Sequence, residues 1–372
     1  MDRMLTAKQY TNLIERPEAW ALAETKISKI VEQICKDIVG SELSFNQLVS
    51  ELAAWNDELS QPDISSLKKY WLPDNYSADK QSVRWCLALD ELPFAPFYDE
   101  RIAKLRGQHI FASIIKPQTP LSLLVDGESD NPVSGFIFHL SRCGSTLVSN
   151  CLTASPTHTV LSEAHFLTQL LLDNSLNDEL KITVLQALMC SFGKKLIVKL
   201  NAWDLAFYTL LMKAFPETPV VIIIREPGEI LVSHQKSAGI HMVPNGLTKV
   251  PPHWPEASND SLNEYQAKVL SHLMGIAKQY VQSSRVKIVD YAQLPMAIEN
   301  IISPHFGITL SASEIVHMKQ LAKVYSKNTE LQFKSDSKEK QQQFEQKFSA
   351  DLKLSLLEMY QGLGVLAKQA AG

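Results

Sequence analysis

From about residue 130 onward, short apolar runs alternate with amphipathic stretches. GFIFHL (135–140), TVL (159–161), KLIVKL (195–200), PVVIIIR (219–225) and VKIVDY (286–291) predict strands. Between them, 145–153, 164–190, 203–214, 228–237 and 259–282 predict helices. Strand–helix alternation of this kind predicts an α/β fold, a parallel sheet flanked by helices. PVVIII is apolar at every position, as a central strand buried on both faces requires. The first 130 residues have a different texture. VEQICKDI, FNQLVSELAAW and RIAKLRGQHIFASII place apolar residues three and four apart, the period of amphipathic helices. Pro73, Pro93 and Pro96 interrupt them, and PQTP at 117–120 closes the region. The expected organisation is therefore a mostly helical N-terminal extension, 1–130, followed by an α/β domain over 131–372. The polar run KSDSKEKQQQFEQK (334–347) is expected to be a solvated helix face or loop.

Composition narrows the function classes. With 45% apolar and 20% charged residues in a chain of 372, a sizeable core can be buried. A formal charge of −4 lacks the basic signature of a nucleic-acid partner. The five cysteines form no C-x-x-C pair, so neither a disulfide framework nor a cysteine metal site is expected. The N-terminal residues lack the apolar core of a signal peptide, and VVIII is far too short to span a bilayer. The expectation is a cytoplasmic protein with no membrane span.

In open α/β sheets ligands bind at the carboxyl ends of the strands. There the chain carries His139–Thr146, Glu163, Lys199–Asn201, Arg225–Ser233 and Asp290–Tyr291. A strand running into a Gly/Ser/Thr turn and then a helix presents backbone N–H groups to an anion. The loop is not a nucleotide-triphosphate P-loop. No glycine stands at position 139, which is histidine, and no lysine follows Gly144. The basic residue comes earlier, as Arg142.

These residues carry a resemblance. SRCGSTL resembles the 5′-phosphosulfate loop of sulfotransferases that use 3′-phosphoadenosine 5′-phosphosulfate (PAPS), with Ser141 in place of the usual proline. REPGEILVS, with Arg225 and Ser233 eight apart, is similar to that family's 3′-phosphate element. An arginine fork at a strand end can hold a phosphate by two charge-assisted hydrogen bonds. VKL at 198–200 resembles the strand whose lysine, here Lys199, contacts the sulfuryl group. VDYAQL (289–294) is similar to a late element that is acidic in the family, and YSKN (325–328) offers Lys327 as a phosphate contact. The resemblance covers roughly 130–335. It implies a P-loop-like α/β fold and sulfuryl transfer from PAPS to a hydroxyl acceptor, with no metal required. Arg142, Cys143, Gly144, Ser145, Thr146, Arg225, Ser233 and Lys327 are then the cofactor-binding residues, Cys143 through its amide.

The base is less directly indicated. Many cytosolic members place a histidine two residues after the strand lysine, where this chain has Asn201. The tyrosylprotein branch instead pairs a loop arginine with a glutamate at the end of the next strand, which fits Arg142 and Glu163, 21 residues apart. Glu163 is the expected general base, with His165 and His139 as rivals and Arg142 and Lys199 stabilising the transferring charge. The proline-rich segment 239–258 is expected to form a lid over the acceptor, with His241, His253 and Trp254 as candidate lining. Two alternatives stay open: an atypical kinase using MgATP, for which Asp290 and Lys199 are the candidate groups, and a non-catalytic nucleotide-binding module.

Overall fold

The computed structural model describes residues 3–21, 26–89, 93–108, 110–125, 131–193, 195–257, 260–323 and 337–369. They form two compact units, Met1–Pro132 with Ala164–Gly193, and Val133–Glu163 with Lys194–Gly372.

The first unit is rich in helices but is built around a small antiparallel sheet. Its strands are β1 (Trp71–Ser77), β2 (Ser82–Leu87) and β3 (Gln118–Pro120), in the order β1-β2-β3. The prolines that punctuate the sequence conceal this sheet. Pro73 sits inside β1, where the register shifts between Pro73 and Asn75, and Pro120 ends β3. A proline cannot donate to a ladder, so it reads as a breaker unless it lies at an irregularity or an end. The helical stretch expected over 164–190 is two helices, His165–Leu171 and Asp178–Met189, and both belong to this unit. The reason is aromatic packing. Phe166 and Phe192 meet the buried Tyr98 ring edge-on at 5.7 Å each, and the Tyr76 hydroxyl donates to the Asp173 carboxylate.

The second unit carries the five-stranded parallel sheet, in the order β5-β6-β4-β7-β8. Its strands are β4 (Val133–His139), β5 (Thr159–Ser162), β6 (Leu196–Lys199), β7 (Val220–Ile224) and β8 (Val286–Asp290). All five residues of β7 are buried, as its unbroken apolar run demands. The longer helices of this unit are α1 (Ser145–Leu152), α2 (Tyr208–Ala214), α3 (Pro227–Lys236), α4 (Leu262–Tyr280), α5 (Ala312–Leu321), α6 (Ser337–Lys347) and α7 (Ala350–Gln369). Local chemistry sets their ends. Ser261 and Glu264 close a capping box on α4, while Glu226 accepts the N–H groups of Gly228 and Glu229 and Pro227 opens α3. No described helix is long and apolar enough to cross a membrane.

The run 334–347 behaves differently from its polar composition. Its described part is α6, packed against α3 with Phe344 buried. A Cβ on Gly228 would lie 2.4 Å from the Phe344 ring, so the bare backbone of α3 is the seat for that aromatic. Lys340, one turn away on the same helix, is buried.

Candidate active site

Strand order creates the site. β4, β6 and β5 are neighbours, with Ile137 level with Lys199 and Ser162 level with Lys199 in the two ladders. Three residues far apart in the chain, His139, Glu163 and Lys199, therefore meet at one end of the sheet. Lys199 is fully buried, and its Nζ lies 2.6 Å from Glu163 Oε1 and donates to Thr146 Oγ1 at 3.0 Å. His139 Nε2 lies 3.5 Å from the same Oε1. Glu163 takes a left-handed backbone, with φ of 50°, a conformation costly for a side chain with a Cβ and common where geometry serves function. Its N–H donates to the Lys199 carbonyl at 2.8 Å, which ties the turn to β6.

The electrostatics follow from burial and pairing. Burial acts to raise the Glu163 carboxyl, but the Lys199 ammonium and His139 outweigh it and hold the group well below the usual carboxylate range. Burial lowers Lys199, with Glu163 opposing the shift. His139 is also lowered by burial. Its Nδ1 accepts the Ser141 N–H at 3.1 Å, which leaves the ring proton on Nε2, 3.0 Å from the Leu200 carbonyl. His139 thus lacks a free lone pair and serves as a brace.

The loop from β4 to α1 is held in an unusual backbone. Ser141, Arg142 and Gly144 all have positive φ, 70°, 50° and 79°. Gly144 is needed twice over, since a Cβ there would also lie 2.8 Å from the Tyr291 ring. No side chain caps α1, whose N-cap position is Gly144. Two histidines pin Ser141. His139 takes its N–H, while His234 Nε2 lies 3.1 Å from its hydroxyl and receives the Gly239 N–H on Nδ1. Cys143 is fully buried, its thiol donating to the Ser141 carbonyl, and burial pushes its pKa up, so its use to a ligand is the backbone.

Arg225 follows β7. Its guanidinium forks onto Glu229, donates to the Arg142 carbonyl at 3.1 Å and lies 3.9 Å above the Tyr291 ring. Ser233 lines the same space and donates to the Glu229 carbonyl.

One cleft of about 440 Å³ joins these parts, within the ~300–1,000 Å³ usual for small-molecule sites. His139, Arg142, Cys143, Gly144, Ser145, Thr146, Glu163, Arg225 and Ser233 line it. Lys199 stands behind this lining and reaches the site through Glu163 and Thr146. Lys327 lies outside the described residues. His165 opens a helix of the first unit, exposed, with its N–H on the Asp99 carboxylate, and is not part of the lining. In the proline-rich segment, Ile240 and His241 line the cleft. Trp254 is buried with its indole N–H toward the Tyr265 hydroxyl, and His253 is exposed, so neither joins the lining.

Sequence reasoning missed Trp203, Lys236 and Lys340, all of which line the cleft, whereas Tyr291, placed at a strand end, does line it. Lys236, three residues past Ser233 on the same helix, had a legible signal in that spacing. Lys340 had none, because it is the packing of α6 on α3, with Phe344 over Gly228, that brings it there. Asp290 is committed elsewhere, accepting the Ala292 N–H on Oδ1 and the Tyr360 hydroxyl on Oδ2.

No family model and no curated protein matches the chain. Among solved structures, the sulfotransferase domain of the Synechococcus PCC 7002 olefin synthase aligns at 13% identity and a TM-score of 0.40, covering 63% of this chain and 96% of that one. The sulfotransferase STF1 from Mycobacterium tuberculosis aligns at 18% identity and 0.37, covering 52% and 72%. Mouse sulfotransferase SULT7A1 complexed with PAP aligns at 10% identity and 0.38, covering 68% and 90%. With scores this low, function has to be argued from the site itself. All three are sulfotransferases, the family that the SRCGSTL loop and the Arg225–Ser233 element resemble.

Proposed function

We propose that the protein transfers a sulfuryl group from PAPS to a hydroxyl acceptor. The observation that carries this reading is that the 141–147 loop, Arg225 and Ser233, and the Glu163 carboxylate all line one cleft. The residues present suit the donor. The uncapped amides of α1, with Arg142, Ser145 and Thr146, would hold its 5′-phosphosulfate. Arg225 and Ser233, joined by Lys236 and Lys340, would hold its 3′-phosphate. PAPS, when bound, supplies an activated sulfuryl group on a phosphate leaving group.

The chain's own residues account for the rest. Lys199 and Arg142 place positive charge where the leaving phosphate gains negative charge, in a partly water-excluded setting that strengthens it. Glu163 accepts the acceptor's proton. Lys199 and His139 both meet Oε1, and Glu163 lines the cleft. Its carboxyl is held ionised at neutral pH. Tyr291 supports both halves, under the Arg225 guanidinium and against Gly144. In the kinase alternative Asp290 would hold magnesium, but its two oxygens accept the Ala292 N–H and the Tyr360 hydroxyl.

The test is thermal unfolding with 3′-phosphoadenosine 5′-phosphate (PAP) plus EDTA, beside MgATP and a no-ligand control. A ligand at 100 times its Kd adds about 2.7 kcal/mol to native stability, which raises the Tm by several degrees. The expected result is a shift with PAP that Arg225→Ala abolishes. A shift with MgATP alone would sink the reading.

A further inference from the structure

Three buried histidines surround the loop, and two of them are committed. His139 and His234 each accept a backbone N–H on Nδ1 and turn Nε2 to an oxygen. His241 differs. It is 4% exposed, and neither ring nitrogen has a hydrogen bond. Burial lowers its pKa to about 3, so the ring is neutral at physiological pH. The indole N–H of Trp203 is likewise buried without a partner, and its ring lies 5.0 Å from that of His241. Buried polar atoms without partners are few in native proteins, and each is costly. Here the two neighbouring side chains that carry such atoms both line one cleft.

The surroundings define what would pair with them. Ala202 and Ile240 flank the two rings in the lining, and Ile240 is 53% exposed at the rim. Gly239 is the seat of the imidazole, since a Cβ there would lie 2.8 Å from His241 Cε1. The charged groups acting on His241 are Glu163 and Arg142, with the His139 and His234 rings beside it. We infer that Trp203 and His241 form the acceptor subsite and that it takes a neutral alcohol or phenol carried on an apolar or aromatic body. This rests on the transferase reading above. The indole N–H can only donate, so it seeks a lone pair on the acceptor, and the neutral imidazole supplies one further donor or acceptor. A charged acceptor would need a counter-charge that neither ring offers. A polyhydroxylated one would bring more polar groups than this wall can pair.

Nitrogen-15 correlation spectra of the histidine-labelled full chain provide the test, with 4-methylphenol as probe and glucose as comparator, each with and without PAP. His241→Leu identifies the His241 signals. The expected result is that 4-methylphenol moves them while glucose does not. Trp203→Phe should weaken probe binding about tenfold, the scale of one hydrogen bond. Gly239→Ala should weaken it similarly by displacing the ring without removing any polar group. In the absence of ligand, His241→Leu should unfold at the same or a higher temperature than the parent, because it removes unpaired atoms. Unmoved His241 signals beside normal PAP binding would overturn the subsite, as would an equal response to glucose or a clear fall in Tm for His241→Leu. A response to 4-methylphenol without PAP binding would instead sink the transferase reading and leave the subsite standing.

Discussion

Replacing Lys199 by methionine tests the electrostatic core of the site. The lysine is fully buried, and its ammonium is the main counter-charge of Glu163, 2.6 Å away. Methionine keeps much of the volume and removes the charge, leaving the carboxylate to His139, 3.5 Å away and neutral. Breaking a buried pair from one side costs roughly 3–5 kcal/mol, about 10 °C in Tm for a unit of this size. The pH dependence separates this mechanism from a simple packing defect. In the parent the folded pKa of Glu163 is depressed, so the group contributes stability above its unfolded value, and that contribution is lost as pH falls toward the folded pKa. In Lys199→Met burial is no longer outweighed, the folded pKa rises above the unfolded one, and the carboxyl destabilises at neutral pH but is relieved on protonation. The gap between parent and variant should therefore be widest near pH 7 and narrow as pH falls toward about 4.5. Urea unfolding across pH 4.5–8 measures it, and adding Glu163→Gln to Lys199→Met should recover part of the loss at pH 7. A gap that stays constant with pH, or a double variant that loses the sum of the two single effects, would refute the reasoning.

Three further outcomes are expected. Glu163→Gln should lower turnover roughly a hundredfold or more while PAP binding, read by calorimetry, is kept, as befits loss of a base. Gly144→Ala should weaken PAP binding at least tenfold and lower the Tm, because the position has φ of 79° and a Cβ would press on the Tyr291 ring. Gly228→Ala should loosen α6 by displacing Phe344, which limited proteolysis would detect as faster cleavage in that helix, and should reduce PAP affinity as Lys340 leaves the cleft.

The sequence by itself determined the alternation of strands and helices over 135–291, and with it the parallel sheet. VVIII can be satisfied only in a strand buried on both faces, and Pro227 and Glu226 mark where the next helix starts. It also located Arg142, Glu163, Lys199 and Arg225, because strand ends are legible wherever an apolar run stops at a polar residue, while Ser233 was indicated by the resemblance of REPGEILVS to a 3′-phosphate element. Only the tertiary structure decided what those residues do to one another. Strand order β5-β6-β4 sets Lys199 against Glu163, and that pairing governs the charge state of both. Local pattern is silent about long-range company for the same reason elsewhere. His165 goes with the first unit because Phe166 packs on Tyr98. Lys340, in a run whose composition reads as solvated, reaches the cleft because one glycine on α3 leaves room for one phenylalanine on α6. His241 has no sequence neighbour that reveals its unpaired nitrogens. Periodicity reports which face of an element is buried, whereas the partner across that face is chosen by packing among segments a hundred residues apart.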